Sequence, residues 1–197
     1  MIGTRVQTIS RRAAERAVWP LAAIGVTPLM LTVAGFLLSI PAAVFLANGQ
    51  HLVGGVFVLV SGAVDMFDGA LARVKSEVTV FGAFIDSTLD RYVELAIYGG
   101  LIWHFSIAGR NVETIVALAA AAGSLLVSYS KARAEGLGLD CKVGLLQRPE
   151  RLIILGLSAA LSAWILVPAI WVLAIATHLT ALQRIWHVYS ITRDKSS

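Results

Sequence analysis

The sequence predicts an all-α integral membrane protein, with six transmembrane helices preceded by an N-terminal interfacial helix. Three observations lead there. Of the 197 residues, 57% are hydrophobic and only 14% are charged, too apolar a balance for the surface of a water-soluble domain of this size. The charges collect between long apolar runs. The basic residues fall almost entirely on one side of those runs. This composition excludes a soluble globular enzyme, a disordered chain and a disulfide scaffold. The lone cysteine, Cys141, can form no internal disulfide and reads as a small apolar packer.

Residues 4–19 are expected to form the interfacial helix. Arg5, Arg12 and Arg16 share one helical face suited to anionic headgroups, and the segment lacks the short apolar core and cleavage site of a signal peptide. A basic leader that only sets topology accounts for the same residues equally well. From 17 to 64 there is no Asp, Glu, Lys or Arg. At about 20 residues per crossing that stretch holds two spans, with Asn48, Gly49, Gln50 and His51 supplying the turn between them. Residues 95–109 and 114–130 are also uncharged, and 152–183, too long for one crossing, is expected to divide near Val167 and Pro168. The six spans are placed at 29–47, 52–72, 80–104, 114–133, 149–166 and 169–188, in a single membrane domain over 1–197 with 1–19 as its juxtamembrane helix. Helices are the default because lipid-exposed backbone must satisfy its own hydrogen bonds, and these runs lack the alternation of barrel strands. In this layout every Lys and Arg except Arg110 and Arg91, which lies inside the third span, is on one side. Both termini are therefore expected in the cytoplasm of a multi-pass cell-membrane protein.

The informative chemistry is acidic. Asp65 and Asp68 close the second span at i, i+3; Asp86 and Asp90 open the third at i, i+4. Each pair occupies one helix face, so two facing helices can pool four carboxylates. Carboxylates in or near hydrocarbon must protonate, find cations or bind metal. Hard oxygen donors without nearby His or Cys favour Mg²⁺ or Mn²⁺. Structural pairing with Arg73, Lys75 or Arg91 is the plainer reading, but the acids outnumber these bases. Gly69 and Gly82 would allow close approach of a ligand or another backbone, although a packing role is commoner for a single Gly. Arg73 beside a metal-binding acid cluster suits a phosphate or pyrophosphate. An ion-coupled transporter is the competing class, since intramembrane acids often form ion paths.

The pattern Asp65-x2-Asp68-Gly69-x2-Ala72-Arg73-x8-Gly82-x3-Asp86-x3-Asp90 resembles the signature of the CDP-alcohol phosphotransferases at every fixed position. Thr27, Pro28 and Thr32 resemble the motif at the start of that family's first span. The resemblance implies a six-helix membrane enzyme, usually a homodimer, that displaces CMP from a CDP-linked donor with an alcohol, using two divalent ions, Mg²⁺ or Mn²⁺. It implies Asp65, Asp68 and Asp86 as metal ligands, with Asp90 as general base and a further ligand. It also implies donor contacts from Leu29, Met30, Leu31, Thr32, Gly69, Arg73 and Thr79, the donor being CDP-diacylglycerol.

A second basic set is left for the acceptor: Ser128 and Lys131 at the end of span four, Arg148 and Arg151 at the start of span five, and Arg184 in span six. Positive-inside topology and snorkelling side chains also account for them. So basic a set oversupplies charge for a neutral alcohol but suits one carrying its own phosphate. The stretches 128–135 and 148–152 resemble bacterial members that use inositol phosphate. The expected products are phosphatidylinositol phosphate and CMP, with glycerol 3-phosphate as the alternative acceptor. The charge placement speaks for membrane lipid and against nucleic acid as a partner.

Overall fold

The computed structural model describes residues 18–193. Residues 18–23 are helical, whereas 4–17 of the expected interfacial helix, with Arg5, Arg11, Arg12 and Arg16, lie outside the described residues, as does Lys195. Six further helices follow, and no strand occurs among the described residues.

Local chemistry sets most of the boundaries. Helix α1 (Pro28–Ala47) begins where Thr27 accepts a hydrogen bond from the Met30 N–H at 3.3 Å and Pro28 occupies the first turn, where a backbone N–H would have no intrahelical acceptor. It ends in the expected turn, where Gly49 takes φ +73°. Helix α2 (His51–Val74) runs to a short connection, and α3 (Val80–Ile107) starts with Thr79 accepting from the Gly82 N–H at 2.9 Å. Helix α4 (Asn111–Gly136) is followed by the loop 137–147. Helix α5 (Arg148–Leu161) opens with a capping box, the Glu150 carboxylate reaching back to the Gln147 N–H. Helix α6 (Ala163–Arg193) ends the described chain.

One boundary differs from the sequence reading. The last two helices divide at Ser162, not near Val167 and Pro168. Ser162 is extended (φ −174°, ψ 147°), its hydroxyl accepts from the Trp164 N–H at 3.2 Å, and its carbonyl accepts from Ile165 and Leu166. A serine cap thus starts α6 before the proline, and Pro168 is carried in the second turn, as Pro41 is carried inside α1. Interior prolines are tolerated in membrane helices where neighbouring groups take up the freed carbonyl.

The packing order is α1 against α2 and α3, α2 against α5, α3 against α4, and α4 and α5 against α6. Where α2 crosses α5, a Cβ added to Gly55 would lie 2.5 Å from the Ala160 nitrogen and 3.0 Å from the Ala159 side chain, so only glycine permits this approach. Leu46, Val58, Ile97, Leu101, Phe105, Leu155 and Leu173 fill the interior. Leu37, Val44, Leu52, Val60, Trp103, Ile115 and Trp164 face outward, an apolar exterior suited to lipid. Helices α1, α2, α4 and α6 are long and apolar enough to cross a membrane. Helix α3 carries Asp86, Asp90, Arg91 and Glu94, and α5 has only 14 residues, about 21 Å of helix.

Candidate active site

The acids converge where α2 ends and α3 begins. Asp65, Asp68 and Asp86 each offer an oxygen within 4.8 Å of the other two. Their helical spacings turn them to a common point, and the short 75–79 connection holds the two helix ends together. Asp68 is buried and accepts a 2.6 Å hydrogen bond from the Thr32 hydroxyl, which ties α1 to the cluster.

Asp90 stands outside this triad, one turn further along α3. One of its oxygens accepts from Arg91 Nη1 at 3.2 Å. The other lies 2.7 Å from Arg148 Nη1, a charge contact without hydrogen-bond alignment. The same Arg148 nitrogen donates to Asp65, so the guanidinium bridges Asp65 and Asp90. Arg148 Nε and Nη2 are buried and make no hydrogen bond within the described protein.

Arg91 meets Asp90, Arg148 bridges Asp65 and Asp90, and among the described ion pairs Arg148 meets the triad through Asp65. Three hard oxygen donors held this close together fit Mg²⁺ or Mn²⁺ and offer nothing to a metal that prefers nitrogen or sulfur.

Beside the triad opens a cleft of about 380 Å³ between the start of α1, the end of α2 and the start of α3. Leu29, Thr32, Asp68, Gly69, Arg73, Thr79, Gly82 and Asp86 line it. Five of the seven expected donor contacts are thus on its wall. Met30 and Leu31 are not; the Met30 N–H is taken by Thr27. A Cβ on Gly69 would stand 3.5 Å from Arg73 Nη1, an ordinary contact, so the two residues share one stretch of the cleft wall. The N-terminus of α3 also opens on the cleft, and its backbone dipole favours an anion there.

The expected acceptor residues are dispersed. Arg148 joins the acid cluster, as described. Arg151 is 2% exposed and grips Glu94 with Nε and Nη2 at 2.7–3.0 Å. Arg184 is also buried and donates to the carbonyls of Val143, at 2.9 Å, and Val127, tying the 137–147 loop to α4. Ser128 lines a separate groove with Arg91, Tyr92 and Tyr129, and Lys131 sits at the surface 3.7 Å from Glu135. Sequence reasoning missed Glu94, although its i+4 spacing from Asp90 could have found it.

The site and fold have counterparts. Residues 25–183 match the family model described as CDP-alcohol phosphatidyltransferase. The chain belongs to that family. A phosphatidylinositol phosphate synthase of Mycobacteroides abscessus is 41% identical over 167 residues, covering 81% of this chain and 76% of that protein. An archaetidylinositol phosphate synthase of Methanothermobacter thermautotrophicus is 38% identical over 164 residues, 81% of each. Among solved structures, the phosphatidylinositol phosphate synthase of Mycobacterium tuberculosis with CDP-DAG bound superposes with TM-score 0.82 at 34% identity, over 90% of this chain and 94% of that one. The same mycobacterial enzyme has been crystallised with manganese and citrate. The Asp triad and cleft thus sit within the part of the chain that defines the CDP-alcohol phosphatidyltransferases.

Proposed function

We propose that this phosphatidyltransferase moves the phosphatidyl group of CDP-diacylglycerol onto a hydroxyl of inositol phosphate, releasing CMP and forming phosphatidylinositol phosphate. The observation that carries the proposal is the Asp65–Asp68–Asp86 triad beside a cleft lined by Gly69 and Arg73. It occurs in a chain 41% and 38% identical to bacterial and archaeal enzymes whose names share inositol phosphate while differing in lipid.

Asp65, Asp68 and Asp86 would hold two ions, Mg²⁺ or Mn²⁺, with Asp90 as a further ligand. Bound there, divalent ions supply charge to polarise the pyrophosphate and to stabilise the departing oxygen of CMP. Arg73 and the dipole at the start of α3 orient the donor's phosphates beside Gly69. Leu29 and Thr32, at the mouth of α1, meet the nucleotide end. Asp90 takes the proton of the attacking hydroxyl as its oxygen bonds to the phosphorus bearing the diacylglycerol. The bond from that phosphorus to CMP breaks, and CMP leaves with the electron pair.

Ser128, Lys131, Arg148, Arg151 and Arg184 are assigned to the acceptor side. Arg148 makes the most direct claim, because its Nε and Nη2 lack hydrogen-bond partners and it lies beside Asp90. The family resemblance extends the proposal to a homodimer built from one domain over 1–197, with a juxtamembrane helix at 1–19 and six spans in the cell membrane. Helices α3 and α5 supply the two spans beyond the four apolar ones, and the acid cluster faces the cytoplasm.

The test supplies purified protein with CDP-diacylglycerol, Mg²⁺ and each alcohol in turn and measures CMP. Inositol phosphate should support release, and free inositol should not. Release with glycerol 3-phosphate alone would overturn the acceptor, and absence of any release would overturn the reaction.

A further inference from the structure

On the reading that the acceptor carries a phosphate, we infer that Glu94 is a positioning residue. Through Arg151 it fixes the first turn of α5, and with it the place of Arg148 over Asp65 and Asp90.

Asp86, Asp90 and Glu94 follow one another at four-residue spacing on α3 and share a face. Asp86 and Asp90 belong to the acid cluster. Glu94 lies one turn deeper and is 2% exposed. A carboxylate there is costly unless it is fully paired. Arg151 provides the pairing: Nε donates to one oxygen at 3.0 Å, and Nη2 donates to both at 2.7 and 2.9 Å. A planar fork held this way fixes orientation as well as distance. The remaining Arg151 nitrogen, Nη1, reaches the Leu146 carbonyl at 3.5 Å, so the pair also ties down the loop leading into α5.

Arg148 is three residues before Arg151, on the same side of α5. Its Nη1 is committed to Asp65 and Asp90, and its Nε and Nη2 are buried with donors unspent. Where those donors point depends on how the first turn of α5 sits against α3. Glu94 and Arg151 set that relation one turn below the reacting groups. Buried ion pairs often add little net stability, and their best-attested use is to fix one arrangement over others. Glu94 touches no expected substrate atom, so its effect passes through the two arginines.

The experiment compares Glu94→Gln and Glu94→Asp with the parent enzyme. It measures KM for inositol phosphate, KM for CDP-diacylglycerol, kcat, melting temperature and Mn²⁺ affinity. Glu94→Gln keeps the shape but loses the charge and one acceptor oxygen. It should raise the inositol phosphate KM on the order of tenfold, with donor KM and Mn²⁺ affinity within about twofold. Glu94→Asp keeps the charge on a shorter arm and should recover part of that loss. A fall in kcat alone, an equal rise in both KM values, or no change in either would overturn the inference. Should Glu94→Gln melt below the assay temperature, the same split is read from Glu94→Asp. If the parent releases CMP with glycerol 3-phosphate instead, the acceptor assignment fails. The Glu94 comparison is then made on the KM of that alcohol.

Discussion

Asp68 and Asp90 lie in one cluster but touch different partners, and their substitutions should separate accordingly. Asp90 meets two guanidinium groups and, in the proposed chemistry, the proton of the attacking hydroxyl. Asp90→Asn should lower kcat by at least about 10²-fold while leaving most CDP-diacylglycerol binding intact, checked by CMP release and by a donor-binding titration. Asp68 instead depends on the Thr32 hydroxyl at 2.6 Å, which orients its carboxylate from α1. Outer partners of metal ligands commonly account for 10- to 100-fold in metal affinity. Thr32→Val should accordingly weaken Mn²⁺ binding by roughly that factor, read by electron paramagnetic resonance. An unchanged affinity would make Thr32 a helix-packing residue. The acids themselves were legible in the sequence because spacing along one helix fixes which face a side chain takes. Glu94 has the same spacing, yet its meaning depends on an arginine 57 residues away, which no local pattern reveals.

Caps and close crossings decide how the helices deliver those residues. Gly82 can hold the Thr79 cap because a Cβ there would lie 2.9 Å from the threonine oxygen. Gly82→Ala should cost about 1 kcal/mol by disturbing that cap, visible as a lower melting temperature, and it should raise the KM for CDP-diacylglycerol because the cap lines the cleft. Gly55→Leu should separate α2 from α5, at a cost of about 1–3 kcal/mol for overpacking. Since α5 carries Arg148, that variant should lose activity along with stability. Asn48-Gly49 announced its boundary because turn chemistry is local, whereas Thr27-Pro28 entered only through the family resemblance although it is the cap that starts α1. The division at Ser162 was not readable. Proline is a strong punctuation mark in isolation, but inside a membrane bundle neighbours can donate to the carbonyl it leaves free, and the decisive serine cap looks like any other polar residue in an apolar run.

Taken as a bundle, α1, α2 and α3 enclose the cleft, α5 brings Arg148 against Asp65 and Asp90, and α6 returns to the same end, where Arg184 holds the 137–147 loop. The apolar exterior and the all-helical fold followed directly from composition and uncharged run lengths. The arrangement of Arg151 and Arg184 did not, because a basic residue near a span end reads alike whether it faces a phosphate, a carboxylate or a backbone carbonyl. The arrangement has a single dependence: three aspartates from two helices must share divalent metal. The most direct measurement is a Mn²⁺ titration by electron paramagnetic resonance of the parent and of Asp65→Asn, Asp68→Asn and Asp86→Asn, each paired with CMP release from CDP-diacylglycerol. Saturable Mn²⁺ binding in the parent, lost together with CMP release in all three variants, is the expected result. Variants that bind Mn²⁺ and release CMP as the parent does would contradict it.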